Sequence, residues 1–436
     1  MRLALFALAL MAGIAQANGR PPLTNGIFFK PNDPHSLYVR TTFGLLISHD
    51  DGCTFNWFCE QNIGYGGPFD PKYAIATDGT IFATTFTGLR VSRDGGCSFT
   101  NTGPGVWIDA IDIGPTGEVW IGTAESGGTN DVFSSTDNGA TFNSRGMQSP
   151  SIWWKAVKVA PSNAQRVYIA GYQVAGMLPD GGQMPPTAHV LRSDDDGAHW
   201  TESALANVMY GSTPIVIVNA VDPANPDIVY MTSLLANPPN GDRVYRSSDG
   251  GMTWTEVLAT TDPVRDVVVR DAQTVLVATQ MGGSFKSTNA GTSFSPMTGT
   301  PQLECLGQSP DGTLIGCGAN WQPDYMAVGK STDGGQTWQK VWRFVELYGP
   351  LACPDGTPEH DTCDLGQWAN IQSQFGATGP TCGPYANGDG PPAGDPPPKK
   401  KSSGCNVGAG ASIGALCALL AVLVVGRIRR PRRSAE

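Results

Sequence analysis

The sequence predicts an all-β protein, a seven-bladed β-propeller with four-stranded antiparallel blades. Three observations predict it. One short motif recurs seven times along the chain. Around each copy lie short runs rich in β-branched and aromatic residues, separated by Gly, Asp and Pro turns, which is typical of strands. No helical periodicity of useful length appears outside the two ends of the chain. Four short strands per repeat of 40 to 58 residues are typical of propeller blades.

The recurring motif is Ser-x-Asp-x-Gly-x-x-Trp/Phe, as in "SSDGGMTW" from Ser247, and its serines are spaced by 44, 43, 58, 54, 40 and 44 residues. A short carboxylate can accept backbone N–H bonds across a tight turn, and glycine supplies a positive φ. An enzyme needs one site, so sevenfold repetition predicts a structural role. One copy carries an amide, which can still accept but has no charge. The third positions are Asp50, Asp94, Asp137, Asp195, Asp249, Asn289 and Asp333.

The fourth copy, "SDDDG" at 193–197, has an alternative interpretation as part of a calcium loop. It lacks the full ligand spacing and the closing Glu of such a loop, so extra surface charge on the repeat is the favoured interpretation. No His or Cys spacing predicts a zinc site. We therefore expect no metal and no cofactor.

The repeated motif resembles the Asp-box, the sialidase-type BNR repeat, and the resemblance covers roughly Asn25 to Arg343. It implies that each box lies at the hairpin between the third and fourth strands of a blade, on the outer rim. It follows that a ligand would bind at the opposite face.

The two ends of the chain predict export. Residues 1–17 have the basic start, apolar run and small-residue site of a signal peptide. The propeller is then expected over 18–345, a Cys-rich extension packed on the last blade over 346–383, and a Pro/Gly-rich linker over 384–404. The tail, 405–436, contains an apolar stretch at about 407–426 that is long enough to span a membrane, followed by arginines that stay cytoplasmic.

The order of Cys405, apolar span and arginine cluster resembles the C-terminal sorting tail of myxobacterial surface proteins. The resemblance implies processing and lipid attachment at Cys405 and display at the cell surface or outer membrane. The alternative is an ordinary single-span membrane anchor.

Eight cysteines precede the tail, and an even count in an exported chain favours disulfides. Cys305 and Cys317 flank a predicted hairpin, which a disulfide could close. The formal net charge is −10, and most charges in the terminal segments are arginines, so the part between them is more acidic still. An acidic chain is a poor partner for nucleic acid, whose phosphates need basic patches.

Long loops on a rigid scaffold commonly carry binding, and four long segments fall on the face opposite the boxes, at 59–71, 171–189, 232–242 and 318–328. Aromatic rings beside carboxylates suit a glycan or a protein ligand at the cell surface. The candidate ligand-binding residues are Tyr65, Asp70, Glu125, Tyr172, Asp180, Trp321, Asp324 and Tyr325.

The sequence leaves two classes of function. The early Arg-Ile-Pro motif of sialidases is absent, while related Asp-box xyloglucan hydrolases use two carboxylates across a cleft, commonly between two propellers. Asp109 or Asp112 with Glu125 could supply such a pair here, although no spacing fixes their separation. The leading expectation is a non-enzymatic binding or assembly platform with no catalytic residue. The alternative is a glycoside hydrolase, sialidase-like or of another Asp-box type.

Overall fold

The computed structural model describes residues 20–177, 182–235, 241–280 and 283–380. The signal-peptide, linker and tail predictions, with Asp180 and Cys405, lie outside these ranges. Within them no helix is both long and apolar enough to cross a membrane.

The predicted fold class is confirmed, since seven sheets of four antiparallel strands follow one another along the chain. Blades 1 to 3 comprise β1 (Thr24–Phe29), β2 (Leu37–Thr41), β3 (Gly44–Ser48), β4 (Asn56–Phe58); β5 (Tyr73–Ile75), β6 (Ile81–Thr85), β7 (Gly88–Ser92), β8 (Thr100–Thr102); and β9 (Ile108–Ile113), β10 (Val119–Thr123), β11 (Val132–Ser135), β12 (Asn143–Ser144).

Blade 4 carries an extra two-stranded ribbon, β15 with β16, in the connection between its second and third strands. Blades 4 and 5 comprise β13 (Ile152–Ala160), β14 (Asn163–Gln173), β15 (Gly176–Met177), β16 (Gln183–Met184), β17 (Thr187–Ser193), β18 (Thr201–Glu202); and β19 (Val216–Val221), β20 (Val229–Ser233), β21 (Arg243–Ser247), β22 (Thr255–Ala259).

Blades 6 and 7 complete the ring. They comprise β23 (Val264–Val269), β24 (Val275–Thr279), β25 (Ser284–Ser287), β26 (Ser295–Met297); and β27 (Cys305–Gln308), β28 (Leu314–Cys317), β29 (Val328–Ser331), β30 (Gln339–Trp342). The first strands of successive blades contact one another, and β27 contacts β1, so these strands surround the central channel.

The core is divided among the junctions between neighbouring blades, each of which holds one cluster of buried apolar side chains. The aromatic residue of a box contributes to such a junction. Phe55 of the first box is fully buried and lies 5.2 Å, centroid to centroid, from Trp342 of the last blade. Burial of one such side chain stabilises the fold by about 1.5–3 kcal/mol.

Helical structure that the sequence analysis did not predict occurs after blade 1 and around the Cys-rich extension. A four-residue helix, α1 (Glu60–Ile63), follows blade 1, and 3-10 and π turns at Phe344–Glu346 and Glu359–Asp364 precede α2 (Leu365–Phe375). Trp368, Ile371 and Phe375 recur at helical spacing along α2, a short pattern that the sequence analysis overlooked. These side chains pack against the core between blades 7 and 1, where Trp368 lies on Trp57 of blade 1.

The extension joins the end of the propeller to its beginning. A short strand, β31 (Gly349–Pro350), pairs in parallel with β4 of blade 1, and Phe375 packs against both Phe43 of blade 1 and Phe344. The extension was expected to pack on the last blade, and in the structure it also contacts blade 1. Disulfides Cys59–Cys363 and Cys97–Cys353 attach it to the first two blades. The predicted Cys305–Cys317 disulfide is also present, across β27 and β28.

Candidate functional site

The boxes occupy one end of the propeller. Each box turn follows the third strand of its blade. In blades 1, 5 and 6 its backbone also bonds to the loop between the first and second strands, as from Asp51 N–H to the His35 carbonyl (3.1 Å) and from Gly250 N–H to the Asp227 carbonyl (3.0 Å). The connections between second and third strands, and those between blades, therefore form the other end. We refer to that end as the loop face.

The carboxylate of Asp249 is used within its own turn. Its Oδ1 accepts hydrogen bonds from the Ser247 hydroxyl (2.7 Å) and the Thr253 N–H (2.9 Å), and its Oδ2 accepts one from the Thr253 hydroxyl (2.6 Å). Burial alone would raise the pKa of Asp249, but these bonds outweigh it and lower the pKa to about 2. A carboxylate so fully engaged has no acceptor to spare for chemistry.

Asn289 in the sixth box keeps this arrangement without the charge. Its amide oxygen accepts from the Ser287 hydroxyl (2.8 Å) and the Ser293 N–H (3.1 Å), and its amide nitrogen donates to the Ser293 hydroxyl (2.9 Å). The following Gly291 has a φ of 70°, and an added Cβ would lie 2.4 Å from the Tyr230 ring. Turn geometry and close packing, not charge, hold the box.

Five aromatic rings form a continuous row on the loop face across blades 2 to 4. We call Phe69, Phe86, Trp107, Trp153 and Tyr172 the aromatic row. Neighbouring ring centroids are 4.5, 5.0, 5.7 and 5.7 Å apart in that order. Phe86 is 48% exposed, and Tyr172 at the far end of the row is buried. The other three rings are half-buried. Aromatic faces beside a few placed polar groups are typical of ligand sites.

The five rings come from connections between blades, from a turn within a blade and from two paired strands. Phe69 and Trp107 lie in the connections that lead into blades 2 and 3, and Phe86 lies in the short turn between β6 and β7. Trp153 and Tyr172 are direct partners across β13 and β14, so their side chains share one face of the sheet.

A group of charged side chains lies in the channel directly beside the row. The Asp109 carboxylate, 7% exposed, forms ion pairs with Lys72 (3.3 Å) and with Lys155. The Lys155 ammonium also lies 5.1 Å from the centre of the Trp107 ring, within cation–π range. Burial, and then repulsion from neighbouring cations, lowers the pKa of each lysine to about 7.

Glu125 contacts the row from the loop between β10 and β11. Its Oε2 accepts a hydrogen bond from the Trp107 N–H (3.0 Å), and its own N–H donates to the Asn130 side chain (2.6 Å). The indole N–H of Trp107 is buried and has no hydrogen-bond partner among the described residues.

A second carboxyl group precedes the first strand of blade 7. Burial raises the pKa of Glu304, and the charge of Asp262 raises it further, against the opposing effects of Arg265 and Gln280. Arg265 is an ion-pair partner of Glu304 at 3.0 Å. Asp266 lies nearby in the channel, where burial raises its pKa to about 6 while its carboxylate accepts from the Leu306 N–H (2.8 Å). Carboxyl groups whose pKa is raised in this way are candidate proton donors.

The residues predicted from sequence fall into separate places. Tyr172 is a member of the aromatic row, and Glu125 and Asp109 adjoin the row. Asp112 lies further along β9, where it binds Lys158 (3.2 Å) and the Val159 N–H (2.9 Å).

The candidates in the connection between blades 1 and 2 have structural partners. Asp70 accepts two hydrogen bonds from Arg20 at 2.9 Å each, and Tyr65 packs in the apolar cluster between those blades.

On blade 7 the candidates hold their own loop together and do not join the row. Trp321 packs on Phe344, Asp324 accepts from the Gln302 and Ala319 N–H groups at 3.2 Å, and Tyr325 lies under Arg343.

The sequence analysis missed most of the row, both lysines and Glu304. One signal could have found some of them. The residue just before the first strand of a blade lies at the mouth of the channel, and Lys72, Trp107 and Glu304 all occupy that position. Alignment of the seven repeats by their first strands would have singled out these side chains.

Comparisons with known proteins point to the repeat and to enzymes of glycan hydrolysis. The family model described as "BNR/Asp-box repeat" matches residues 330–340. The chain is 24% identical over 292 residues to the oligoxyloglucan-reducing end-specific xyloglucanase of Emericella nidulans, covering 55% of this chain and 35% of the relative. It is 26% identical over 240 residues to the xyloglucanase Xgh74A of Acetivibrio thermocellus, covering 54% and 24%.

Among solved structures, an ancestral GH74 enzyme superposes with a TM-score of 0.50 at 16% identity, covering 73% of this chain and 44% of that one. This similarity shows the propeller fold. The chain spans about a third or less of the length of the two curated relatives described above.

These relatives overturn the leading functional expectation. A non-enzymatic binding or assembly platform was expected, but the curated relatives are named as xyloglucanases. The prediction of a non-enzymatic platform is therefore wrong, and the alternative, a glycoside hydrolase, is better supported. The reasoning failed because it took the absence of a sialidase motif and of a second propeller as evidence against catalysis. Neither absence bears on carboxylates placed by the channel mouth.

Proposed function

We propose that this propeller is a glycoside hydrolase that binds a polysaccharide along the aromatic row and cleaves it at the mouth of the central channel. The observation that carries the proposal is the row itself. Five rings, from Phe69 to Tyr172, follow one another across three blades, which is the form expected for an extended ligand. The names of the curated relatives make a xyloglucan-type β-glucan the first substrate to test.

Hydrolysis of a glycosidic bond commonly uses two carboxyl groups in opposite protonation states. Glu304 is the candidate proton donor, since burial and the nearby charge of Asp262 raise the pKa of its carboxyl group. Glu125, which is partly buried and accepts a hydrogen bond from the backbone of Trp107, is the candidate second carboxylate, which would activate water or stabilise positive charge. Asp109 is a positioning group in this scheme, because both of its oxygens face ammonium groups.

The test uses the full-length protein in detergent with xyloglucan and its oligosaccharides. Release of reducing ends should fall by about a hundredfold or more in Glu304→Gln and in Glu125→Gln, in line with the usual contribution of acid–base catalysis. Trp107→Ala should instead raise the KM, since it removes a binding surface. Asp112→Asn, a channel carboxylate remote from the row, is the matched control. Binding of β-glucans without any turnover would refute the hydrolase assignment.

We further propose that the protein works outside the cytoplasm, tethered through its C-terminal tail. Three disulfides in the described residues support an oxidising compartment. Intact-mass analysis of the membrane-bound form tests the tail. A mature protein that ends near Cys405 and carries lipid supports processing there, whereas one that retains Arg433 is a single-span membrane protein.

A further inference from the structure

We propose that the aromatic row selects a glycan that carries anionic substituents, and that Lys155 binds the anionic group beside Trp107 and Trp153. This inference rests on the proposed glycan site and names the class of its ligand. The chemistry that Lys155 would recognise is a carboxylate of a uronic acid or a sulfate on a sugar ring.

The first argument is the position of Lys155. It follows Trp153 by two residues on β13, and its ammonium lies 5.1 Å from the centre of the Trp107 ring. The Trp107 and Trp153 rings are nearly perpendicular, so a sugar that stacks on either ring would have substituents directed towards that ammonium. The Lys155 side chain is 18% exposed, so a bound group could reach it.

The second argument is the count of charges around Asp109. One carboxylate faces two ammonium groups, Lys72 and Lys155. Lys72 is also held by two backbone carbonyls, those of Asp109 (2.6 Å) and Lys155 (3.0 Å), and so is saturated with acceptors. Among the residues that the structure describes, Asp109 is the one acceptor bonded to the Lys155 ammonium. Two of its N–H groups remain for a ligand.

The third argument is that the cations here destabilise one another. Arg40 and Lys158 repel Lys72, and Lys72 repels Lys155. Within the described parts of the chain no ion pair joins Glu125 to either lysine, and its carboxylate is bonded to the Trp107 N–H. An anion at Lys155 would relieve this repulsion, in a protein whose overall charge is strongly negative.

The binding test compares three oligosaccharides of equal length by calorimetry with the full-length protein. The probes are a neutral cello-oligosaccharide, a xylo-oligosaccharide substituted with glucuronic acid, and a sulfated cello-oligosaccharide. We expect at least one acidic probe to bind about tenfold or more tightly than the neutral probe, since a charge-assisted hydrogen bond replaces a neutral one. The two acidic probes distinguish a carboxylate from a sulfate.

Variants and pH give an independent readout. Lys155→Met should abolish the preference, and Lys30→Met, a lysine at the box end, should keep it. Anion binding needs the ammonium form. Burial lowers the pKa of Lys155 to about 7, so the ammonium form predominates below pH 7 and is lost as the pH rises through that value. The affinity for the acidic probe should therefore fall between pH 7 and 9, and Lys155→Arg, which stays charged and is expected to fold, should make that fall shallower.

The outcomes separate the two proposals. Equal affinity for neutral and acidic probes, or a preference that survives in Lys155→Met, overturns the anionic specificity and leaves the glycan site standing. A pH dependence that is unchanged in Lys155→Arg overturns the role of Lys155. Binding of none of the three probes overturns the glycan site and the specificity together.

Discussion

Two nested disulfides close the ring, and their combined effect on the free energy of unfolding can be predicted. Cys59–Cys363 and Cys97–Cys353 link residues 304 and 256 positions apart. In the chain-entropy description, either bond alone would stabilise the fold by about 5.6 kcal/mol, by restricting the unfolded chain. When one bond is already present, the other closes a much smaller loop. That loop consists of the 38 residues from Cys59 to Cys97 and the 10 from Cys353 to Cys363.

The second bond then contributes about 4 kcal/mol. Each single removal should therefore cost about 4 kcal/mol, because the other bond still closes the ring. Removal of both should cost about 10 kcal/mol, which exceeds the sum of the two single losses. This excess comes from the unfolded state alone and does not depend on the contacts that each cysteine makes in the native fold.

The assay is urea unfolding followed by tryptophan fluorescence. The variants are Cys59→Ala with Cys363→Ala, Cys97→Ala with Cys353→Ala, and all four together. Cys53 is also disulfide-bonded, so every variant is made in a Cys53→Ala background. Additive losses, or a combined loss smaller than the sum, would show that the extension is held by its native contacts with blade 1 and not by restriction of the unfolded chain.

Three other predictions concern stability. The Glu359 side chain is fully buried, and burial raises its pKa to about 8, above the value near 4.3 in the unfolded chain. Its contribution to the free energy of unfolding is therefore favourable below about pH 4.3 and is lost as the pH rises towards 8. Glu359→Gln should gain up to about 3 kcal/mol at pH 7 and flatten the dependence of the melting temperature on pH over that range; an unchanged slope would contradict the protonated state. In the fifth box, Asp249→Ala should cost about 1–3 kcal/mol in urea unfolding, and Asp249→Asn less than about 1 kcal/mol, since the natural Asn289 keeps the same bonds; equal losses would contradict a role through hydrogen bonding. Trp338→Ala should cost about 3–5 kcal/mol because its ring is 2% exposed at the junction of blades 6 and 7, and a loss below about 1 kcal/mol would mean that the junction refills the cavity.

The fold was determined by local sequence patterns that repeat. Each box forms its turn with atoms from seven or eight consecutive residues, as Ser247, Asp249 and Thr253 do, so seven copies of the pattern specify seven hairpins without knowledge of the rest of the chain. The Cys305–Cys317 pair was predictable for the same reason, because its two strands are neighbours in sequence.

The candidate site was decided by the tertiary structure. Phe69, Phe86, Trp107 and Trp153 lie in different repeats, and they become one surface only when the blades close into a ring. The same holds for Lys72, Asp109 and Lys155, which come from three first strands or their approaches and meet in the channel. The disulfide between Cys59 and Cys363 joins the segment after blade 1 to the extension that follows blade 7, and no local sequence pattern predicts it. Sequence specifies contacts between neighbours along the chain, whereas ligand sites and ring closure depend on where distant repeats meet.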